Sequence, residues 1–212
     1  HIYTNTSTYG TQLLITNNDG CRDSSQVNVV IRELPVSDFN AVLPFCQDLA
    51  ITFNNNASGP GTITNYLWNM GDGSTTTLSD PTHNYSSGGD KNISLIVTDD
   101  WSCLDTLEKS IYIVPEFTLG IDYFGLCTNT PAAITGVVID PPMTIDTWEW
   151  LFHDGTALSG QEVIYSYVQS GDYNLQLTAE KNGCQEIYTE VLSVAPSPTA
   201  DFIYGFISLD DR

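Results

Sequence analysis

A block of motifs returns along this chain at a step of 82 residues. His1-Ile2-Tyr3 is answered by His83-Asn84-Tyr85 and again by Tyr165-Ser166-Tyr167. Trp68-Asn69-Met70-Gly71-Asp72-Gly73 is answered by Trp150-Leu151-Phe152-His153-Asp154-Gly155. Cys21 is followed by Cys103 at the same step, and by Cys184 one residue short of it. Self-similarity at one period means tandem copies of one folding unit. A chain of 212 residues therefore holds two complete copies with a partial copy at each end. We place the boundaries at 1–35, 36–115, 116–196 and 197–212. Arrays of this kind build length or present surfaces more often than they carry one catalytic centre.

Each boundary falls at a proline: Leu34-Pro35, Val114-Pro115 and Ala195-Pro196. A phenylalanine then opens the next copy, in Asp38-Phe39, Glu116-Phe117 and Asp201-Phe202. Proline fixes φ and removes a backbone donor, and the joints are short, so a semi-rigid rod is expected.

Within a copy the apolar period is two. Ile93, Leu95 and Val97 alternate with Asn92, Ser94 and Ile96, and Tyr173, Leu175, Leu177 and Ala179 with Asn174, Gln176 and Thr178. Tyr66, Trp68 and Met70 follow the same rule, as do Trp148, Trp150 and Phe152. Such alternation marks strands with one buried face. Turn clusters such as Asn17-Asn18-Asp19-Gly20 and Ser86-Ser87-Gly88-Gly89 punctuate them, and no helical stripe interrupts. Short strands with regular turns predict a small antiparallel β-sandwich per copy.

Charge narrows the partners. The 26 acidic residues against 6 basic ones give a net −20. That composition opposes binding to nucleic acid and to anionic membrane surfaces, and no apolar run is long enough to span a bilayer. It suits a self-repelling outer surface, or one bathed in divalent cations.

An 82-residue copy is small and wants a staple. Each copy holds an early and a late cysteine: Cys46 with Cys103, and Cys127 with Cys184. One disulfide within each copy is expected, with the partner of Cys21 ahead of residue 1; buried free thiols are the other reading. Closing the first loop contributes roughly 4 kcal/mol on the chain-entropy model and places the protein outside the cytosol. Residues 1–35 lack front strands, so upstream chain or a strand from a neighbouring molecule is expected to complete them.

Taken together these motifs resemble the PKD domain, an immunoglobulin-like β-sandwich. Its pattern W-x-F-G-D-G, then P-x-H-x-Y, then Y-x-V-x-L is met here by Trp68 to Gly73, by Pro81-Thr82-His83-Asn84-Tyr85, and by Ile93 to Val97. Met70 stands for the usual Phe; in the last copy His153 replaces the first glycine and Tyr165 the histidine. The resemblance implies an all-β tandem of immunoglobulin-like antiparallel sandwiches. Trp68 and Trp150 take the buried-Trp position of such folds, with His83, Tyr85 and Tyr167 as packing residues. The cysteine pairs and the acidic composition look like PKD arrays of large surface proteins that gliding bacteria export by the type IX route. That likeness implies a cell-surface stalk or adhesive filament, with neighbouring domains, surface polysaccharide or other copies as partners. Asp105-Thr106-Leu107 resembles the short O-glycan acceptor of that group, making Thr106 the residue modified; it also reads simply as strand.

Two readings of Asp72 and Asp154 stay open. An Asp-Gly pair suits a tight turn whose carboxylate bonds nearby N–H groups. Alternatively they are calcium ligands, aided by Asp80, Asp90, Asp99 and Asp100, although no EF-hand spacing exists. Trp101 and Trp148 are candidates to stack on a sugar. No nucleophile elbow, triad or phosphate loop is present, so a non-catalytic protein is expected.

Overall fold

The computed structural model describes residues 1–201; the further unit expected to open over 197–212 falls mostly outside them. All regular structure among the described residues is β, and the chain divides into two units, His1–Ile113 and Val114–Arg212.

The first unit begins with a hairpin of β1 (Ser7–Thr16) and β2 (Arg22–Ile31), in register from Ser7↔Ile31 to Thr16↔Arg22. A sandwich follows. One sheet orders β3 (Phe39–Ala41), β4 (Ala50–Asn55) and β7 (Thr82–Asn84). The other orders β6 (Thr75–Thr76), β5 (Ile63–Asn69), β8 (Gly89–Asp99) and β9 (Leu104–Ile113). All pairings are antiparallel. The alternating residues Ile93, Leu95 and Val97 of β8 are all buried. They meet Ile51 and Phe53 of β4, Phe39 of β3 and Trp68 of β5 in one core. Each large apolar side chain buried there stabilises the fold by about 1.5–3 kcal/mol over exposure.

The second unit repeats the plan. β10 (Thr118–Tyr123), β11 (Ala132–Asp140) and β14 (Glu162–Tyr165) form one sheet. β13 (Ala157–Ser159), β12 (Thr147–Phe152), β15 (Gly171–Lys181) and β16 (Cys184–Val194) form the other. The layers approach closely at Gly136 of β11, where a Cβ would lie 2.6 Å from the Trp148 ring and 3.2 Å from Leu177. Glycine is required there because no side chain fits beneath the indole.

The β1–β2 hairpin is the repeat equivalent of β8–β9 and of β15–β16. Its apolar residues find no second layer among the described residues: Leu13 is 65% exposed where its equivalent Leu95 is fully buried.

The cysteine pairing expected within each unit is not formed. Cys103 and Cys127 carry free thiols, as does Cys21, while Cys46 and Cys184 are disulfide-bonded. The reason is length. Cys46 lies where Asp48 N–H donates to the Tyr85 carbonyl, and Tyr85 in turn reaches Met70 at the end of β5. Cys103 lies beyond Asp99, at the far end of the eleven-residue β8. Cys127 bridges Ala195, one residue past β16, whereas Cys184 is the first residue of that eleven-residue strand. At about 3.3 Å per residue each pair is roughly 30 Å apart, and a disulfide needs Cα atoms within about 7 Å.

Candidate functional site

The motif residues converge on one corner of each sandwich, at the turn that leaves the Trp strand. In the first unit Asp72 Oδ1 accepts from Ser74 N–H at 2.9 Å, and its Oδ2 accepts from His83 Nε2 at 2.7 Å. Tyr85, fully buried, donates its hydroxyl to the Met70 carbonyl at 2.9 Å and packs edge-on against His83 at 4.6 Å. Trp68, also buried, donates its indole N–H to the Leu78 carbonyl at 2.9 Å. The strand, the Asp-Gly turn and the His-x-Tyr strand β7 are thus tied by side chains.

The second unit keeps the ties and changes one donor. Asp154 Oδ1 accepts from Thr156 N–H, and Oδ2 accepts from the Tyr165 hydroxyl, both at 2.9 Å. Tyr165 therefore replaces His83 in kind: each gives an N–H or O–H to a carboxylate from the same strand position. Trp150 donates to the Gly160 carbonyl at 2.8 Å. Buried Tyr167 keeps the place of Tyr85, although its hydroxyl has no partner among the described residues.

Electrostatics follow from these bonds. Burial pushes the Asp72 carboxyl up, but the bonds from His83 and Ser74 outweigh it and hold the group below the usual carboxylate range. The Thr156 backbone and side chain, then the Tyr165 hydroxyl, lower Asp154 to about 2. Burial raises Tyr85, with the Asp72 charge adding to it, and burial also raises Tyr167 to about 12. Both carboxylates are thus anions whose oxygens already have protein donors.

The turns differ in a way that explains a second substitution. In the first unit Asn69 Oδ1 accepts from Gly71 N–H at 2.9 Å, and Gly71 sits at φ +78 with its would-be Cβ 2.6 Å from the Asn92 carbonyl oxygen. Leu151 and His153 occupy these two places in the second unit. His153 has no positive φ there, and its ring joins a cluster absent from the first unit. It lies 4.3 Å from Tyr173 and stacks on Tyr167 at 5.6 Å, while Phe152 stacks on Tyr165 at 3.9 Å. The aromatic pairs follow alternate positions on neighbouring strands, a signal present in the sequence that our reading did not use.

The remaining candidates stand apart. Asp80 accepts from Asn55 N–H and the Ser79 hydroxyl. Asp99 and Asp100 lie at the other end, on turn N–H groups of Trp101, Cys103 and Thr62. Among the described residues, no three His, Cys, Asp or Glu side chains gather as a metal would need. Thr106 points outward from β9, and the neighbouring Asp105 accepts from Ser37 N–H at 2.7 Å. Trp148 is half-buried over Gly136, and the Arg32 guanidinium lies 3.9 Å above the ring of Trp101. The second unit has an open concavity of about 520 Å³ beside Leu151, His153, Gln176 and Glu190. No helix among the described residues is long and apolar enough to cross a membrane.

One family model described as PKD domain matches residues 32–114, and a second of the same description matches 123–184. The chain is 26% identical over 132 residues to the pre-pro-metalloprotease PrtV of Vibrio cholerae serotype O1, covering 58% of this chain and 14% of that protein. It is 42% identical over 66 residues to a microbial collagenase of Vibrio alginolyticus, covering 30% of this chain and 8% of the other. Among solved structures, the PKD1 domain of the Vibrio cholerae metalloprotease PrtV is 33% identical, with a TM-score of 0.35, covering 38% of this chain and 98% of that one. The PKD1 domain of Vibrio anguillarum Epp is 23% identical, with a TM-score of 0.38, covering 41% of this chain and all of that one.

Proposed function

Two tandem domains of this chain belong to the PKD family, and on that premise we propose that the segment is a non-catalytic spacer of a larger extracellular protein. One observation carries the reading. The side chains that define the motif bond to one another: Asp72 to His83, Asp154 to Tyr165, and both tryptophans to loop carbonyls. These bonds spend the motif side chains on building the module itself. Disulfide-bonded Cys46 and Cys184 fit an oxidising compartment, and a charge of −20 fits a surface kept apart from its copies. The finer reading is a semi-rigid stalk or adhesive filament at the cell surface, of the type IX-exported kind.

The direct test is a binding panel with the whole chain against polysaccharides and collagen peptides. A spacer gives no saturable binding. Saturable binding that is lost on replacing Trp101 or Trp148 makes the segment a recognition module instead.

A second reading has its own support. The curated relatives that the chain matches are named as a metalloprotease and a collagenase, and it spans only 14% and 8% of their lengths. On this reading the two domains are an accessory array of a secreted hydrolase. Finding a hydrolase domain elsewhere in the parent polypeptide decides for it; an unbroken run of further sandwiches decides for the stalk.

A further inference from the structure

Residues 1–31 reproduce the back half of a complete sandwich, side chain by side chain. β1 and β2 keep the register of the equivalent hairpins: Leu13 faces Ser25 as Leu95 faces Leu107 and Leu177 faces Tyr188. Ahead of them the His-x-Tyr geometry is already built. His1 packs edge-on against Tyr3 at 4.6 Å, as His83 does against Tyr85 at 4.6 Å. Tyr3 lies 4.4 Å from Tyr9, as Tyr167 lies 4.7 Å from Tyr173. Tyr9 donates its hydroxyl to the Asn5 carbonyl at 3.0 Å, as Tyr173 does to Gln169 at 2.9 Å.

In the complete units these groups meet a front half. The edge of β8 away from β9 pairs with the Trp strand, Trp68 opposite Leu95, and β15 pairs likewise with Trp150 opposite Leu177. At the end of that strand the Met70 carbonyl takes the Tyr85 hydroxyl, and Asp72 takes His83. In β1 the same edge is unpaired among the described residues, and Leu13 and Ile15 are 65% and 55% exposed. Two strands alone are marginal in water, and an apolar sheet face needs a second layer against it. Exchange of halves with a second copy does not provide that layer. Each copy joins its two Trp strands, β5 and β12, to its own β8 and β15, so swapping them leaves as many open hairpins as before.

We propose that the open edge and inner face of β1–β2, with His1 and Tyr3, dock a front half of the same type carried elsewhere in the same polypeptide. Its Trp strand pairs antiparallel with β1, the indole opposite Leu13. Its Asp-Gly turn gives a carboxylate to His1 and, two residues earlier, a carbonyl to the Tyr3 hydroxyl. The recognised segment therefore carries the pattern W-x-x-x-D-G, as Trp68 to Gly73 and Trp150 to Gly155 do. The docking is the same in a stalk and in an accessory array.

The experiment is amide hydrogen exchange, read by mass spectrometry, on the parent protein from its source and on the 212-residue chain. The expected result is that β1 exchanges as slowly as β8 in the parent and much faster in the shorter chain. Leu13→Asp in the parent should release that protection, together with protection of a W-x-x-x-D-G peptide outside residues 1–212. Gln12→Asp, on the opposite face of β1, should release neither. Fast exchange of β1 in the parent overturns the proposal, as does protection that survives Leu13→Asp or is lost equally in Gln12→Asp. Co-released peptides from another protein overturn it as well. So does a 212-residue chain that dimerises with β1 protected, because a second hairpin then covers the face. The wild-type comparison needs no variant, so a Leu13→Asp protein that fails to fold leaves the test standing.

Discussion

Gly71 and Gly155 stand two residues apart in the same motif frame and carry different constraints. Gly71 sits at φ +78 with Asn92 backbone 2.6 Å from its would-be Cβ, whereas Gly155 at φ +85 has open space. Gly155→Ala therefore costs only the left-handed backbone, about 1–2 kcal/mol. Gly71→Ala adds a collision with backbone that cannot step aside, and we expect at least ~3 kcal/mol. Urea denaturation of the two variants checks the order. The carboxylates supply a second prediction. Asp154 is held near 2 by Thr156 and Tyr165, and Asp72 is lowered as well. The folded state thus binds fewer protons than the unfolded one, so this stabilisation is full above about pH 4 and fades as pH falls toward 2. The urea midpoint should fall in that window, and Asp154→Asn should be weaker at pH 6 with a shallower acid limb. Residues legible in sequence were those whose role is local: the Asp-Gly turn, the buried tryptophans and Tyr85. The cysteine pairing was not. A repeat gives each cysteine an address along the chain, but which end of a sandwich that address falls on depends on strand direction. Counting the strand residues between the two positions, rather than the positions alone, carries that information.

Strands were the most legible elements, because a buried face writes itself as a period of two. β8 and β15 show it over eleven residues each, with Leu95 and Leu177 fully buried. The β1–β2 hairpin carries the same pattern with its faces open. The pattern therefore marks what a strand can bury and says nothing of whether a second layer covers it. This gives a paired prediction. Leu95→Ala should destabilise by 2–5 kcal/mol, the usual cost of truncating a core leucine. Leu13→Ala, at the equivalent place, should stay within about 0.5 kcal/mol in this chain. Amide exchange checks the same contrast without substitution, since a two-stranded ribbon is marginal in water: β1 and β2 should lose protection well before β8. Equal protection in β1 and β8 would mean that the hairpin is covered in solution.

Charge acts on the whole molecule. At a net −20 the folded chain repels itself more strongly than the expanded chain does. Only six basic residues offset it, and two of them, Lys109 and Lys181, are held by Asp38 and Asp146 at 2.8 and 2.7 Å. These two bridges are partly exposed, so salt weakens them, and exposed ion pairs contribute little to stability. The diffuse repulsion is screened by the same salt over a Debye length of about 10 Å at 0.1 M. With 26 acidic residues against 6 basic ones the repulsion wins, and the melting temperature should rise between 10 and 200 mM NaCl. Calcium separates general screening from a site. Asp72 and Asp154 already accept from protein donors on both oxygens, and no third ligand joins them among the described residues. Calcium chloride should therefore match magnesium chloride at equal concentration in its effect on melting. An excess for calcium that disappears in the Asp72→Asn, Asp154→Asn double variant would make these turns a binding site and break the turn-only reading of the motif.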